Sequence, residues 1–200
     1  MKSALVLSIL IACGGPPPKV RLTEDWPART DDYKDVTSSW TRSAILRGEY
    51  QEVLQLEATF KSPEWRAAHA ARDADALGLD GTARQARITA AQADAQGPYE
   101  VEMLVTTWDR RENDLDRGKR SVWRTVLVDD RGTEIEPIEI VKDKRPVFVL
   151  RAEFPALGDF ANAYIARFPR TSPVLGPNAR SVKLRMSSER GGVEVAWDAP

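Results

Sequence analysis

The chain has 200 residues, of which 42% are hydrophobic, 30% are charged and 8% are aromatic. This composition is typical of a globular protein and excludes a fibrous, disordered or multi-span membrane chain. At this length we expect one domain with a substantial hydrophobic core. The 29 Lys and Arg residues nearly balance the 30 Asp and Glu residues, for a formal net charge of -1. Because no excess of positive charge is present, nucleic acid is not an expected partner.

The N-terminus has the pattern of a secretion signal. Met1-Lys2 is positively charged, and residues 3–11 form a short apolar run. The run would be about 14 Å long as a helix, too short to cross the ~30 Å hydrocarbon core of a bilayer. Cys13 is the only cysteine of the chain, so an intramolecular disulfide and a multi-cysteine zinc site are both excluded.

The residues around this cysteine, Leu10, Ile11, Ala12 and Cys13, resemble the lipobox of bacterial lipoproteins. The resemblance implies that residues 1–12 are removed and that acyl chains on Cys13 tether the protein to a membrane. Gly14 follows the cysteine, where an Asp would favour the inner membrane, so the outer membrane is the favoured location. Ordinary signal cleavage after a small residue and a chance apolar N-terminus are the alternatives.

The Gly- and Pro-rich segment 13–24 is expected to be a tether, because polyproline is extended and stiff. Residues 25–200 are expected to form a single domain. From Trp40 onward the dominant hydrophobic period is two, which indicates strands with one buried face. The predicted strands cover residues 40–47, 53–60, 99–105, 121–128, 138–140, 146–154, 164–168, 182–186 and 193–197.

Between the second and third of these strands the period becomes helical. Ser62 is a suitable N-cap, and Pro63 suits the first helical position. Gly78 suits the C-terminal end of this first helix. A second, Ala-rich surface helix is predicted from about Thr82 to Ala95. We therefore expect a helical hairpin inserted at about residues 62–96.

Many short strands with turn residues between them predict a mainly β (α+β) protein. The expected architecture is an antiparallel immunoglobulin-like β-sandwich with the inserted helical hairpin, and a closed barrel is the alternative. A signal with a lipobox followed by such a domain resembles uncharacterised bacterial lipoproteins. That resemblance implies a location and a fold, and it transfers no catalytic residue.

No catalytic motif is found in the sequence. His69 is the single histidine, and no Gly-x-Ser-x-Gly elbow or phosphate-binding Gly-rich motif is present. A zinc site at His69 would need carboxylates alone to complete it. We therefore expect a protein that is not an enzyme. A hydrolase with two carboxylates stays an alternative, because such a pair leaves no local signature.

One loop between predicted strands is rich in hard oxygen donors, namely Asp109, Glu112, Asn113, Asp114 and Asp116. Loops at the end of a β-sandwich can bind calcium through such donors. Three arginines alternate with these acids, which favours a solvated loop of ion pairs. No cofactor is expected apart from this calcium alternative.

Six tryptophans are present. Trp65, Trp108, Trp123 and Trp197 lie in or beside predicted elements, where packing in the core explains them. Trp26 precedes the predicted strands, and if one of the tryptophans binds a ligand, Trp26 is the candidate. Together these patterns predict a non-enzymatic, lipid-anchored envelope protein that acts as a structural or protein-binding module, with a membrane and an envelope protein as partners. Calcium or glycan binding is the alternative function.

Overall fold

The computed structural model describes residues 16–200, and the lipobox with Cys13 lies outside them. The described chain forms four α-helices and nine strands. The helices are α1 (Tyr33–Trp40), α2 (Pro63–Ala76), α3 (Gly81–Ala95) and α4 (Val147–Glu153). The strands are β1 (Thr41–Arg47), β2 (Glu52–Phe60), β3 (Tyr99–Thr107), β4 (Arg124–Val128), β5 (Glu134–Ile135), β6 (Glu139–Lys142), β7 (Asn162–Phe168), β8 (Ser181–Ser188) and β9 (Gly191–Asp198).

The strands form two antiparallel sheets. The large sheet has the order β1-β2-β3-β7-β6, and the small sheet has the order β5-β4-β8-β9. Every strand pair in both sheets is antiparallel. The prediction of a mainly β fold with few helices is therefore confirmed.

The interior between the two sheets is apolar. On β2 the alternate residues Leu54, Leu56, Ala58 and Phe60 are buried there, as the period of two predicts. The ring of Phe60 packs against Trp197 of the small sheet, with 5.6 Å between ring centroids. Trp197 Nε1 donates a hydrogen bond to the carbonyl oxygen of Trp40 at 2.7 Å. This bond satisfies the indole N–H inside the apolar interior.

The helical hairpin lies between β2 and β3, where its caps predict it. Ser62 Oγ accepts a hydrogen bond from the backbone N–H of Trp65 at 3.1 Å, which starts α2. Gly78 has a φ of 62° just after α2, a conformation that glycine adopts without strain. α3 packs on α2 and buries only Ala95, so it is a surface helix.

Several predicted elements differ in the structure. The segment 146–154 is not a strand: residues 147–153 form α4, which buries Leu150 and Glu153 three positions apart. A run of seven residues that is mostly apolar fits either a helix or a strand, so local periodicity cannot separate the two. β4 begins at Arg124 rather than at residue 121. α1 was not predicted, although Tyr33, Val36, Thr37 and Trp40 are buried with helical spacing.

The N-terminal segment and one tryptophan also depart from expectation. Val20 and Leu22 are buried, and Val20 N–H donates to the carbonyl of Asp198 at 2.9 Å. The chain therefore packs on the sheets before residue 25.

Trp108 is 67% exposed, so its predicted place in the core is wrong. No helix of residues 16–200 is long and apolar enough to cross a membrane.

Candidate functional site

The outer face of the large sheet is polar, in contrast to its inner face. Glu100 and Glu102 of β3 alternate with the core residues Val101 and Met103, so their side chains lie on the outer face. Arg167 of β7 pairs with Glu100 in register. We call the ionic groups between this face and the helices α2 and α4 the polar layer, and its members are Lys61, Arg66, His69, Arg72, Asp73, Arg87, Glu100, Glu102, Asp143, Arg145, Glu153 and Arg167.

Glu102 is the most deeply buried member of the polar layer, with no exposed surface. Its Oε2 lies 2.8 Å from Nζ of Lys61, whose side chain is only 8% exposed. Burial raises the pKa of Glu102, and the nearby charge of Lys61 opposes that rise. Lys61 is therefore the residue that makes a buried carboxylate tolerable at this position.

Glu100 is bound by two arginines from different elements. Arg66 of α2 contacts its Oε2 at 2.9 Å, and Arg167 of β7 contacts its Oε1 at 2.7 Å. Burial would raise the pKa of Glu100, but Lys61 and these two guanidinium groups reverse the effect and lower it. The Arg66 contact holds α2 on the outer face of the sheet, and the Arg167 contact joins the neighbouring strands β3 and β7.

His69 lies at the centre of the helical side of the polar layer. Its ring stacks on Trp65 with 4.8 Å between centroids and meets the edge of Tyr33 at 5.7 Å. Nδ1 lies 3.6 Å from Asp73 Oδ2, and Nε2 lies 3.3 Å from Glu153 Oε1. The latter contact lacks hydrogen-bonding geometry, and Nε2 has no hydrogen-bond partner among the described residues.

His69, Asp73 and Glu153 each offer a ligand atom within 4.8 Å of the others, which is the one group of metal-ligating type in residues 16–200. Both carboxylates already contact guanidinium groups. Arg87 contacts Asp73, and Arg145 contacts Glu153 at 2.7 Å. Burial raises the pKa of Glu153, but His69 and Arg145 outweigh it and hold that pKa at about 2. Because the arginines supply the positive charge, the arrangement is that of an ionic cluster.

Sequence reasoning missed this cluster. The spacing of His69 and Asp73, four residues apart on α2, was a readable signal for a contact on one helix face. Glu153 comes from α4, which was predicted as a strand, so no local pattern could place it beside His69.

A groove of about 580 Å³ lies next to the cluster. Its lining comes from α1, β1, β2, Arg72 of α2 and the end of α4. Arg72 and Glu153 line both the groove and the His69 cluster, so the two features share a wall. The groove is lined by Asp32, Tyr33, Lys34, Thr37, Ser38, Thr41, Arg42, Ser43, Glu57, Arg72, Ala152, Glu153, Pro155 and Ala156.

Two groups in the groove stand out chemically. Glu57 is half-buried, burial raises the pKa of its carboxyl, and no basic side chain of the described chain forms an ion pair with it. Arg72 lies over the ring of Tyr33, with its guanidinium carbon 5.0 Å from the ring centroid. Hydroxyl groups of Thr37, Thr41 and neighbouring serines complete the polar lining. This mixture suits a small polar ligand.

The residues predicted to bind calcium do not converge in the structure; each has its own partner. Asp109 is bound by Arg111 at 2.8 Å, Glu112 by Arg190 at 2.5 Å, and Asp116 lies 3.9 Å from Lys142. Asp114 accepts hydrogen bonds from Ser121 Oγ and the Val122 N–H. Asn113 donates to the carbonyl oxygen of Val105 at 2.7 Å. The loop is thus held by ion pairs and hydrogen bonds.

Trp26, the predicted binding tryptophan, is half-buried beside a small concavity of about 170 Å³ that shares no lining residue with the groove. Arg21, Asp25 and Glu64 share this concavity with it. Trp65, Trp123 and Trp197 are buried as predicted.

Comparisons with known proteins do not assign the chain to a family. No protein-family model and no curated protein matches the chain. A solved structure, of a novel protein of unknown function from Burkholderia pseudomallei K96243, is similar over 83% of this chain and 81% of that chain. The identity is 13% and the TM-score is 0.37, too low to support an inference.

Proposed function

We propose that the chain is a lipid-anchored protein of the bacterial cell envelope that binds a small ligand in the groove and catalyses no reaction. Cys13 is the proposed site of lipidation, and the outer membrane is the proposed location, with an envelope protein as a further partner. The groove carries the binding part of the proposal, because its 580 Å³ is within the range of small-molecule sites and its lining includes both charged and hydroxyl groups.

The charges in the groove favour binding over hydrolysis. A carboxylate-dependent hydrolase needs one acid with a raised pKa as proton donor, opposite a second carboxylate. Glu57 would fit the first role, but Glu153 is bound by Arg145 at 2.7 Å and lies beside His69. A carboxylate already engaged by the Arg145 guanidinium is less free to attack a substrate or to accept a proton, so the pair does not favour catalysis.

The unpaired carboxyl of Glu57 defines the ligand that the groove favours. A half-buried carboxylate that has no ion-pair partner among residues 16–200 attracts an ammonium group, which would replace the hydration it has partly lost. The hydroxyl groups of Thr41 and Ser43 lie on the adjacent strand β1, where Ser43 pairs with Glu57 in register. We infer that the ligand carries an ammonium group that binds beside Ser43 and Glu57.

The immunoglobulin-like form of the sandwich belongs to the same proposal. It is supported by the packing of Phe60 of the large sheet against Trp197 of the small sheet. In such domains the loops at the ends of the sandwich are free to take up binding roles.

The proposal is tested by titrating the full-length chain, in a non-ionic detergent, with spermidine as the ammonium probe. We expect saturable binding by calorimetry that weakens about tenfold in Glu57→Gln, corresponding to one lost charged contact. The matched control is Glu49→Gln, an exposed glutamate in the β1–β2 turn outside the groove. Equal binding by both variants would show that the groove does not recognise ammonium groups.

The anchor is tested separately by Cys13→Ser. We expect the wild-type protein to sediment with membranes and to carry the mass of residues 13–200 plus acyl chains. The variant should be found in the soluble fraction. A variant that still sediments with membranes after signal processing contradicts the lipid anchor and leaves the groove proposal untouched.

A further inference from the structure

A second surface lies at one end of the sandwich, where four connecting segments meet. The pairing of the strands shows that these segments lie at the same end. Leu46 of β1 lies opposite Leu54 of β2, and Leu54 lies opposite Thr107 of β3. Val105 of β3 lies opposite Asn162 of β7. Arg190 of the β8–β9 turn contacts Glu112 of the β3–β4 loop at 2.5 Å. We call this end the loop pole, formed by residues 48–51, 108–123, 158–161 and 188–191.

Large aromatic side chains are exposed at the loop pole. Tyr50 is 88% exposed, Trp108 is 67% exposed and Phe160 is 68% exposed. Trp108 directly follows β3, and its N–H donates to the carbonyl of Val53 at 3.1 Å. Continuing the β3–β7 register by two residues places Phe160 opposite Thr107. Aromatic side chains are enriched on protein surfaces that bind a partner.

Cationic groups accompany these rings. The guanidinium carbon of Arg110 lies 4.9 Å from the centroid of the Phe160 ring. Three basic residues of the pole form no ion pair with a carboxylate of the described chain, namely Arg110, Lys119 and Arg120. Two acidic residues of the pole likewise have no basic partner among the described residues, namely Glu49 and Glu189. The side chains free to meet a ligand are therefore aromatic and more often basic than acidic.

A concavity of about 210 Å³ lies beside the Phe160 ring. Its rim has a guanidinium, amides and a carboxylate, from Arg110, Asn113, Asn162 and Asp159. The loop that presents Arg110 is fixed in place, because Asn113 donates to the Val105 carbonyl at 2.7 Å and accepts from the Tyr164 hydroxyl at 2.9 Å. A site whose loop is held before binding loses little entropy when a ligand arrives.

We propose that the loop pole binds an acidic glycan. The C–H face of a sugar ring packs on Trp108 or on the face of Phe160 away from Arg110, since an aromatic ring offers a flat apolar surface on each side. A sugar carboxylate forms a paired hydrogen bond with the guanidinium of Arg110, whose planar geometry matches it. The amide of Asn162 contacts a sugar hydroxyl group, and the carboxylate of Asp159 is neutralised by its ion pair with Arg151. This inference goes beyond the ligand in the groove and rests on different residues.

The position of the loop pole in the fold suits an envelope polymer. The N-terminal segment joins the opposite end of the sandwich, where Pro18 O accepts a hydrogen bond from Arg42 at 2.6 Å. β9 connects the two ends from Gly191 to Asp198, roughly 25 Å at about 3.3 Å per residue. If Cys13 anchors the chain as proposed above, the loop pole faces away from that membrane. Only this orientation rests on the proposed function.

The test is a titration of the full-length chain, in non-ionic detergent, with trigalacturonate as the acidic probe and maltotriose as the neutral one. We expect trigalacturonate to shift the emission of the exposed Trp108 to shorter wavelength and maltotriose to have little effect. Arg110→Gln and Phe160→Ala should each weaken binding about tenfold, the loss of one strong contact. Leu77→Ala, which removes a side chain that is 69% exposed outside the pole, should bind as the wild type does.

Each other outcome would overturn the proposal in its own way. Unchanged affinity in both pole variants would place the glycan elsewhere. Equal binding of maltotriose would remove the role of the acidic group. Binding to anionic phosphatidylglycerol vesicles without binding to trigalacturonate would identify the pole as a membrane surface. Because the mutated side chains are exposed, we expect unchanged melting temperatures, and a Glu57→Gln variant should bind trigalacturonate normally.

Discussion

The two faces of the large sheet bury residues by different physical means. The inner face, toward the small sheet, is covered by apolar side chains such as Leu56 and Phe60, whose burial needs no specific partner. Between the outer face and the helices, the carboxylates of Glu102 from β3 and Glu153 from α4 are buried, and each is paired with a basic side chain, Lys61 and Arg145 respectively. The apolar interior therefore tolerates changes that keep volume, whereas the polar layer tolerates only changes that keep charges paired.

The largest effect is expected in the apolar interior. Phe60→Ala removes a ring that packs against Trp40, Tyr99 and Trp197, and should lower the free energy of unfolding by about 3–5 kcal/mol. Phe160→Ala is the matched control, because its ring is 68% exposed and should cost roughly 0.5 kcal/mol or less. Urea denaturation of both variants measures the difference. Equal losses would show that Phe60 is not part of a packed core.

A loss of about 3 kcal/mol is expected when a buried pair in the polar layer is broken. Lys61→Met leaves the fully buried carboxyl of Glu102 without its cation. Burial then raises the pKa of Glu102 further, so the folded variant binds a proton that the unfolded chain releases at neutral pH. Its stability should fall as the pH rises from about 4 to 7.

The companion variant is the double change Lys61→Met and Glu102→Gln, which removes both charges. It should recover much of the loss at pH 7, because no buried charge remains unpaired. Chemical denaturation at pH 5 and pH 7 measures both effects. A double variant no more stable than Lys61→Met would show that the pair acts through packing and not through charge.

Glu153 should make stability depend on pH in the opposite direction. Its pKa is held at about 2, below the ~4.3 of an unfolded glutamate, so the folded chain binds this proton less readily. The stabilisation, about 2–3 kcal/mol, is present above pH 4.3 and is lost as the pH falls toward 2. Glu153→Gln should be less stable at pH 7 and should lose less stability on acidification. A wild-type acid profile unchanged by this substitution, with Glu49→Gln as control, would contradict the ion-pair account.

The two faces also differ in how far the sequence predicts them. The period of two placed β2, β8 and β9 correctly, because an apolar interior leaves its pattern in each strand alone. Ser62 and Gly78 marked the ends of α2 for equally local reasons. The polar layer left no such pattern. Glu102 alternates with the core residues Val101 and Met103, which is the pattern of a residue that faces solvent, yet it is fully buried.

In the candidate sites, too, contacts within one element can be predicted from the sequence, and contacts between distant elements cannot. His69 and Asp73 are neighbours on one helix face, but Glu153 joins them only because residues 147–153 are helical. The groove combines α1, two strands and the end of α4, and α1 was not predicted. For Trp108, periodicity indicated the end of a strand, yet whether that end is covered depends on loops that periodicity does not describe.

The smallest effect concerns calcium at the β3–β4 loop, which resembles the polar layer in using basic side chains as its cations. Asp109, Glu112 and Asp116 are separately matched by Arg111, Arg190 and Lys142, so a calcium ion would have to displace these partners. We expect millimolar calcium to change the melting temperature by less than about 1 °C, since a ligand stabilises only if it binds the folded state. Asp114→Ala should lower stability by about 1–2 kcal/mol with or without calcium, because Ser121 and the Val122 N–H lose their acceptor. A calcium-dependent rise of several degrees that Asp114→Ala abolishes would instead make this loop a metal site, and its arginines would then have to move away from the carboxylates they now contact.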